Sequence, residues 1–316
     1  MSLFWIRATA SAALMGVALA LLPLLAPPAA PLPGLLAPAA AQQSQKVLRI
    51  GAIPDQKPET LNRLYPLVAN ELSRQLGVKV VYVPVVDYAA AVTAFRTGGL
   101  DLVWFGSLTG VQARLQKPGA LVIAQRDIDA SFESVFIANR SSGLKPITNV
   151  KGLRELKGKR FTFGSESSTS GRLMPQFYLD QAGVRLSDFA GGAPGFSSSH
   201  DATIALVQSG AYQAGAVSEE VWRSSLSDGK VNPAKVLQIW KTPGYPNYHW
   251  IAQPDLDKRF GKGFTARMRT AILSWRATNP RQKEVLALFG AQRFIPAKAA
   301  AYGSIEKVGR QIGKIR

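Results

Sequence analysis

The chain contains no cysteine, and histidine occurs only twice, at positions 200 and 249. Disulfides, thiol nucleophiles, Cys-ligated zinc and iron–sulfur clusters are therefore excluded, as is any multi-histidine metal site. Acidic residues are also scarce. Asp and Glu total 20 against 38 Lys and Arg, which leaves a formal charge of +18 over 316 residues. What remains is carboxylate, hydroxyl and backbone chemistry, or binding without chemistry. Hydrophobic residues make up 47% and charged residues 18%, a composition that can bury a sizeable core and argues against disorder. The length suggests about two domains.

Charge is nearly missing from residues 1–41, where Arg7 stands alone. An apolar run from Ala8 to Leu25 follows it, and a Pro/Ala stretch ends in Ala39-Ala40-Ala41. A positive start, an apolar middle and a small-residue site predict a secretory signal peptide over 1–41, cut after Ala41. The mature chain would have 275 residues and a charge of +17. No later segment holds 18 uninterrupted apolar residues, so the mature protein is expected to be soluble, and an exported cysteine-free protein suits the bacterial periplasm. Export makes nucleic acid an unsuitable partner for the basic charge. That charge reads as a basic surface, with attraction for small anions as its functional counterpart.

Along the mature chain, short apolar runs at Val47–Ile53, Val78–Pro84 and Leu100–Phe105 alternate with helical patterns. Leu61, Leu64, Tyr65, Val68, Leu72 and Leu76 recur at helical steps and Gly77 closes the helix, while Pro66 predicts a kink or a restart within it. Asp87 is placed to N-cap a helix through Phe95. Leu121–Gln125 and Ser134–Ala138 read as further strands, and the polar stretch Asn139–Lys145 as a linker. Alternation resumes with strands at Arg160–Gly164, Ala214–Val217 and Val236–Trp240, until Thr242–Asn247 forms a second turn-rich crossing. The remainder reads as mostly helical. The pattern predicts an α/β fold of two lobes with a cleft between them, lobe 1 comprising 46–139 plus 248–316 and lobe 2 comprising 140–247. Each lobe is expected to hold a mainly parallel sheet flanked by helices.

The densest chemical signal is Gly164-Ser165-Glu166-Ser167-Ser168-Thr169-Ser170-Gly171, between a strand and a helix. A helix N-terminus supplies unpaired N–H groups, and the hydroxyls of Ser168, Thr169 and Ser170 add donors suited to a tetrahedral oxyanion. A solvated Ser/Thr cap would use the same residues. The P-loop pattern is absent, so nucleotide hydrolysis loses its main support. After the third strand, Ser107 and Thr109 could supply a second set of donors. His200 could donate to an anion, and Asp201 could cap the following helix. Glu219-Glu220 opens a helix, where negative charge is favourable in any case. Arg126, Asp127 and Asp129 read as a surface charge cluster without a function.

These segments together resemble the substrate-binding proteins of phosphate/phosphite/phosphonate ABC transporters. The likeness runs from Ile50 to about Phe294. It rests on Asp87-Tyr88-Ala89-Ala90-Ala91-Val92, Leu100-Asp101-Leu102-Val103-Trp104-Phe105-Gly106, Ser168-Thr169-Ser170-Gly171, Ser199-His200-Asp201-Ala202 and Trp240-Lys241-Thr242-Pro243. Ile53-Pro54-Asp55-Gln56 and Gln125-Arg126-Asp127-Ile128-Asp129 are similar to a branch associated with selenate binding. The resemblance implies a type II periplasmic binding fold that closes on its ligand. It implies that Tyr88 and Thr109 face an anion from the first lobe, and Ser168, Thr169, Ser170 and His200 from the second. Glu220 matches a carboxylate that helps hold an ammonium group in aminoalkylphosphonate binders. Phe132 stands where those binders carry a tyrosine, and Tyr248 where they carry an aspartate. Both departures favour a compact anion, or one with a different substituent, over an aminoalkylphosphonate.

The expected function is a monomeric periplasmic binding protein, not an enzyme and without a cofactor. It would capture a small tetrahedral oxyanion (phosphonate, phosphite, phosphate or a selenate-like anion) and deliver it to an inner-membrane ABC permease. Two other classes compete: an exported sensor domain signalling to a membrane partner, and a hydrolase using Ser, His200 and Asp201. The missing Gly-x-Ser-x-Gly elbow counts against the hydrolase.

Overall fold

The computed structural model describes residues 46–316. The signal peptide expected over 1–41 lies outside the described residues. The strands are β1 (Val47–Ala52), β2 (Lys79–Tyr82), β3 (Leu102–Phe105), β4 (Leu121–Arg126), β5 (Ser134–Asn139), β6 (Phe161–Phe163), β7 (Gly195–Phe196), β8 (Ala214–Ser218), β9 (Val236–Lys241), β10 (His249–Ala252) and β11 (Phe294–Pro296). The α-helices are α1 (Pro58–Leu76), α2 (Tyr88–Arg96), α3 (Ser107–Gln116), α4 (Met174–Gln181), α5 (His200–Gln208), α6 (Glu219–Ser227), α7 (Leu256–Phe260), α8 (Phe264–Leu273), α9 (Pro280–Leu288) and α10 (Gly303–Gln311). None of the described helices is long and apolar enough to cross a membrane.

Local signals explain most of these elements. β3 is Leu-Val-Trp-Phe and buried throughout, the pattern of a strand covered on both faces. In α1 the stripe Leu61, Leu64, Tyr65, Val68 and Leu72 is buried, and Gly77 ends the helix in the left-handed region at φ 66°. Asp87 caps α2 by accepting from the Ala90 N–H at 2.6 Å. Pro66 does not break α1, which runs continuously from Pro58 to Leu76. Both Pro66 and Asn62, whose carbonyl the proline ring leaves without a donor, are exposed, so water can satisfy that group.

Two sheets result. One has the order β11-β4-β10-β3-β1-β2 and the other β7-β6-β8-β5-β9. Both are mixed: β1–β4 run one way in the first sheet and β6–β9 one way in the second, as expected of mainly parallel sheets, and β5, β10 and β11 run against them. β10 runs antiparallel to β3 and β4, and β5 runs antiparallel to β8 and β9. Each of these strands arrives from the other lobe. It therefore enters at the cleft end, where the parallel strands finish. β5 belongs to the second sheet, so the first lobe boundary lies before Ser134 rather than after Asn139. The polar stretch beginning at Asn139 is a turn: Asn139 Oδ1 accepts from the Ser141 N–H at 2.9 Å. The two crossings are tied by a bridge in which Phe132 and Tyr245 exchange backbone hydrogen bonds of 2.8 and 2.9 Å. β7, β10 and β11 were not anticipated; the first has two residues and the last three, too few to show a period.

One apolar cluster covers the first sheet and includes Leu173 and Met174 from the second lobe. Two smaller clusters cover the second sheet. The lobes are closed on each other. His200 N–H donates to Asp55 O at 3.1 Å, Lys57 N–H to the Asp201 carboxylate at 2.8 Å, and Leu108 N–H to Thr169 Oγ1 at 2.9 Å.

Candidate functional site

The parallel strands end at the cleft, and the helices that follow them aim their N-termini into it. After β6 the chain makes a π-helical turn, Thr169–Leu173, before α4 begins. The Leu173 N–H reaches back five residues to Ser168 O at 2.9 Å. Such wide turns are rare and concentrate at functional sites. Ser168 caps the turn: its hydroxyl accepts from the Gly171 N–H at 2.9 Å. A side chain at Gly171 would meet His200 Cε1 at 3.1 Å and Ser168 Oγ at 3.0 Å, so glycine there lets the imidazole lie against the turn.

His200 opens α5 and is fully buried. Ser199, not Asp201, is the N-cap of this helix; its side chain accepts from the Ala202 N–H. Asp201 instead reaches Lys57 in the other lobe. The Ser218 N–H donates to His200 Nδ1 at 3.2 Å, so Nδ1 is an acceptor and the ring proton sits on Nε2. Burial lowers the His200 pKa to about 4, which keeps the ring neutral at pH 7. Nε2–H faces Ser170 Oγ at 3.4 Å and the Tyr248 hydroxyl at 3.5 Å, both long contacts. It is a neutral donor only loosely engaged by protein, well suited to an anionic oxygen. No carboxylate orients Nδ1, so the Ser–His–Asp hydrolase arrangement is not formed.

Tyr248 stacks on Trp104 with ring centroids 5.8 Å apart, and its hydroxyl lies beside the Asp55 carboxyl. Burial raises the Asp55 pKa to about 6, against the opposing effects of Tyr248 and Arg126. Tyr88 is buried and its hydroxyl, on the Ser168 side, closes no hydrogen bond among the described residues. Asn247 is likewise buried; its Oδ1 accepts from the Ser107 N–H at 3.3 Å while Nδ2 has no partner among the described residues. Unsatisfied buried donors of this kind are rare and call for an occupant. A cavity of about 470 Å³ opens at the rim, lined by Pro54, Gln56 and Tyr88 from one lobe and Ser165, Phe196 and Ser199 from the other.

The structure thus brings Tyr88, Ser168, Thr169, Ser170, His200 and Tyr248 to one closed interlobe site. Thr109 is buried there too, but its hydroxyl donates to Gly106 O at 3.0 Å and is spent on the helix. Glu220 and Phe132 stand one layer back, around Arg126. Arg126 and Asp129 are no surface cluster; both are buried. Arg126 Nε and Nη2 donate to the two Asp129 oxygens at 2.6 and 2.9 Å, and Nη1 donates to Phe289 O at 2.7 Å. Glu220 lies 3.9 Å from Arg126 Nη1 across the cleft. Sequence reasoning missed Asp55, Asn247 and the burial of Arg126. Asp55 had a signal, since it follows a strand end and a proline; Asn247 had none beyond a turn-rich segment.

The buried groups also set a pH dependence. Burial raises Glu220 to about 7, so between its ordinary 4.5 and 7 the folded state binds more protons than the unfolded chain. Stability from Glu220 is therefore present at low pH and lost as pH rises through that window, and Asp55 acts in the same sense. His200 and His249, lowered to about 4 and about 3, act oppositely: their protons are taken up by the unfolded chain below 6.5. Glu220→Gln removes one falling contribution. Its unfolding midpoint should rise more steeply with pH, relative to wild type, between about pH 5 and 7. Parallel pH profiles in denaturant would refute the assignment.

Comparison with known proteins agrees with this geometry. Residues 50–302 match the family described as ABC transporter, phosphonate, periplasmic substrate-binding protein. The chain is 53% identical over 271 residues to the probable ABC transporter phosphite binding protein PhnD1 of Prochlorococcus marinus (strain MIT 9301), covering 86% of this chain and 91% of that one. The structure of PhnD1 in complex with methylphosphonate superposes with a TM-score of 0.84 over 85% of this chain and 99% of that chain. The phosphonates-binding periplasmic protein of Escherichia coli (strain K12) is 32% identical over 161 residues, 49% of this chain and 46% of that one. These relatives are substrate-binding proteins rather than enzymes. A type II periplasmic binding fold, a closed cleft of neutral donors and a family match over most of its length place this chain among the periplasmic phosphonate-binding components of ABC transporters.

Proposed function

We propose that the chain captures phosphite or a small alkylphosphonate such as methylphosphonate in the periplasm and hands it to its permease. The observation that carries this reading is the neutral His200 Nε2–H set beside the Ser170 hydroxyl in a closed cleft. Neutral donors can surround a small anion without a countercharge, and closure limits the substituent that fits. Similarity to PhnD1, whose structure holds methylphosphonate, supports the same class.

Calorimetric titration of residues 42–316 with phosphite, methylphosphonate, phosphate, sulfate and selenate tests it. Phosphite or methylphosphonate should bind most tightly. At 100 times its dissociation constant the ligand should add about 2.7 kcal/mol to unfolding stability. Tightest binding of selenate or sulfate, or no binding of any phosphorus oxyanion, would sink the reading. On the same reading residues 1–41 are a signal peptide removed after Ala41, giving a monomeric mature protein. Intact mass and light scattering of periplasmic material should give a 275-residue monomer starting at Gln42. A mass retaining residues 1–41 would contradict it.

A further inference from the structure

Arg126 sits in an unusual box. Its guanidinium carbon lies 4.9 Å from the centroid of the Tyr248 ring, 5.5 Å from that of Trp104 and 5.8 Å from that of Phe132. Asp129 binds it in bidentate fashion and Glu220 faces it at 3.9 Å from the other lobe. Aromatic faces combined with carboxylates are the chemistry that recognises an organic ammonium group. The box shares a wall with the anion site: the Tyr248 ring that carries Arg126 also places its hydroxyl 3.5 Å from His200 Nε2. A cationic substituent that extends past the Tyr248 hydroxyl from an anion held at His200 and Ser170 meets this same box. Gly290 completes it, with φ +62° and no side chain; a Cβ there would meet Glu220 Oε1 at 2.9 Å. Glu220 is thus fitted against lobe 1 and committed to a cation the protein already carries.

On the basis of the phosphonate and phosphite reading, we propose that Arg126 is a resident cation that fills the amine subsite of the cleft and makes the protein reject amine-bearing phosphonates. The box cannot accept a second cation without placing it beside the guanidinium. Such a cation would also lose its hydration, with Asp129 and Glu220 already engaged by Arg126 and only the Asp55 carboxyl, itself held by the Tyr248 hydroxyl, left to offset the loss. A neutral alkyl substituent meets only the aromatic surface.

The test compares 2-aminoethylphosphonate with propylphosphonate, in which a methyl group replaces the ammonium, using methylphosphonate as the reference ligand. Wild type should bind propylphosphonate at least tenfold more tightly than the amine. Arg126→Met leaves Asp129 and Glu220 without their cation, and the order should invert, again by tenfold or more. Arg126→Met/Asp129→Asn, which removes the bidentate pair together and keeps Glu220, provides the same reading if the single variant does not fold. If wild type takes methylphosphonate but neither larger ligand, both variants should gain the amine alone. An amine preference in wild type, or variants that keep the wild-type order or bind neither larger ligand, overturns the proposal. Failure of wild type to bind methylphosphonate and phosphite would instead overturn the functional reading beneath it.

Discussion

Thr169→Ala/Ser170→Ala is expected to weaken binding of the preferred oxyanion by about 100-fold or more while the fold persists. A hydrogen bond to a charged group contributes about 1.5–3 kcal/mol, so two lost donors amount to at least about 3 kcal/mol. The geometry adds a second effect at Thr169. Its Oγ1 accepts from the Leu108 N–H across the cleft, which frees its proton for the ligand and ties the lobes together. Removing that oxygen leaves the Leu108 N–H unpaired in the closed form and favours the open one. Ser168 separates the two roles. Its hydroxyl caps the π-turn, so Ser168→Ala should cost about 0.5–2 kcal/mol of stability with a smaller loss of affinity. Calorimetry and denaturant unfolding on both proteins decide the matter. An unchanged affinity in the double variant would reduce Thr169 and Ser170 to structural caps.

Asp129→Ala is expected to cost about 3–5 kcal/mol of unfolding free energy, because it leaves a buried guanidinium without its main partner. Asp129 is fully buried. It accepts from Arg126 Nε and Nη2 and from the backbone N–H groups of Arg126 and Tyr248, the last at 3.2 Å. Burial by itself would lower the Arg126 pKa, but Asp129 and Glu220 outweigh it and hold the guanidinium charged. After the substitution the Phe289 carbonyl, at 2.7 Å, and the Glu220 carboxyl, at 3.9 Å, remain to face the cation. Asp129→Asn keeps the volume and one acceptor, so it should cost less. Chemical denaturation measures both. A loss below about 1 kcal/mol for Asp129→Ala would mean that Arg126 finds water or leaves its box.

The alternation of strand and helix, the stop at Gly77, the cap at Asp87 and the run of hydroxyls before α4 were all legible in the residues themselves. Each is a local matter of backbone geometry, periodicity or side-chain capping, decided within a few positions. Family resemblance carried Tyr88, His200 and Glu220 to the cleft as well. Other features depend on what a residue meets from far along the chain. β5 reads as a strand from its own sequence, but only pairing with β8 and β9 assigns it to the second sheet. The short β7, β10 and β11 exist because a neighbouring strand already offers hydrogen bonds, not because their sequences demand extension. The His200 tautomer is set by the Ser218 N–H, a contact made where α5 packs at the end of β8. Arg126 and Asp129 look like a solvated cluster until β4, α9 and α6 converge and exclude water from them. Glu220 has a favourable place at a helix N-terminus in any fold. That it faces Arg126 rather than solvent is decided by lobe closure, because the charge it meets comes from the opposite wall of the cleft.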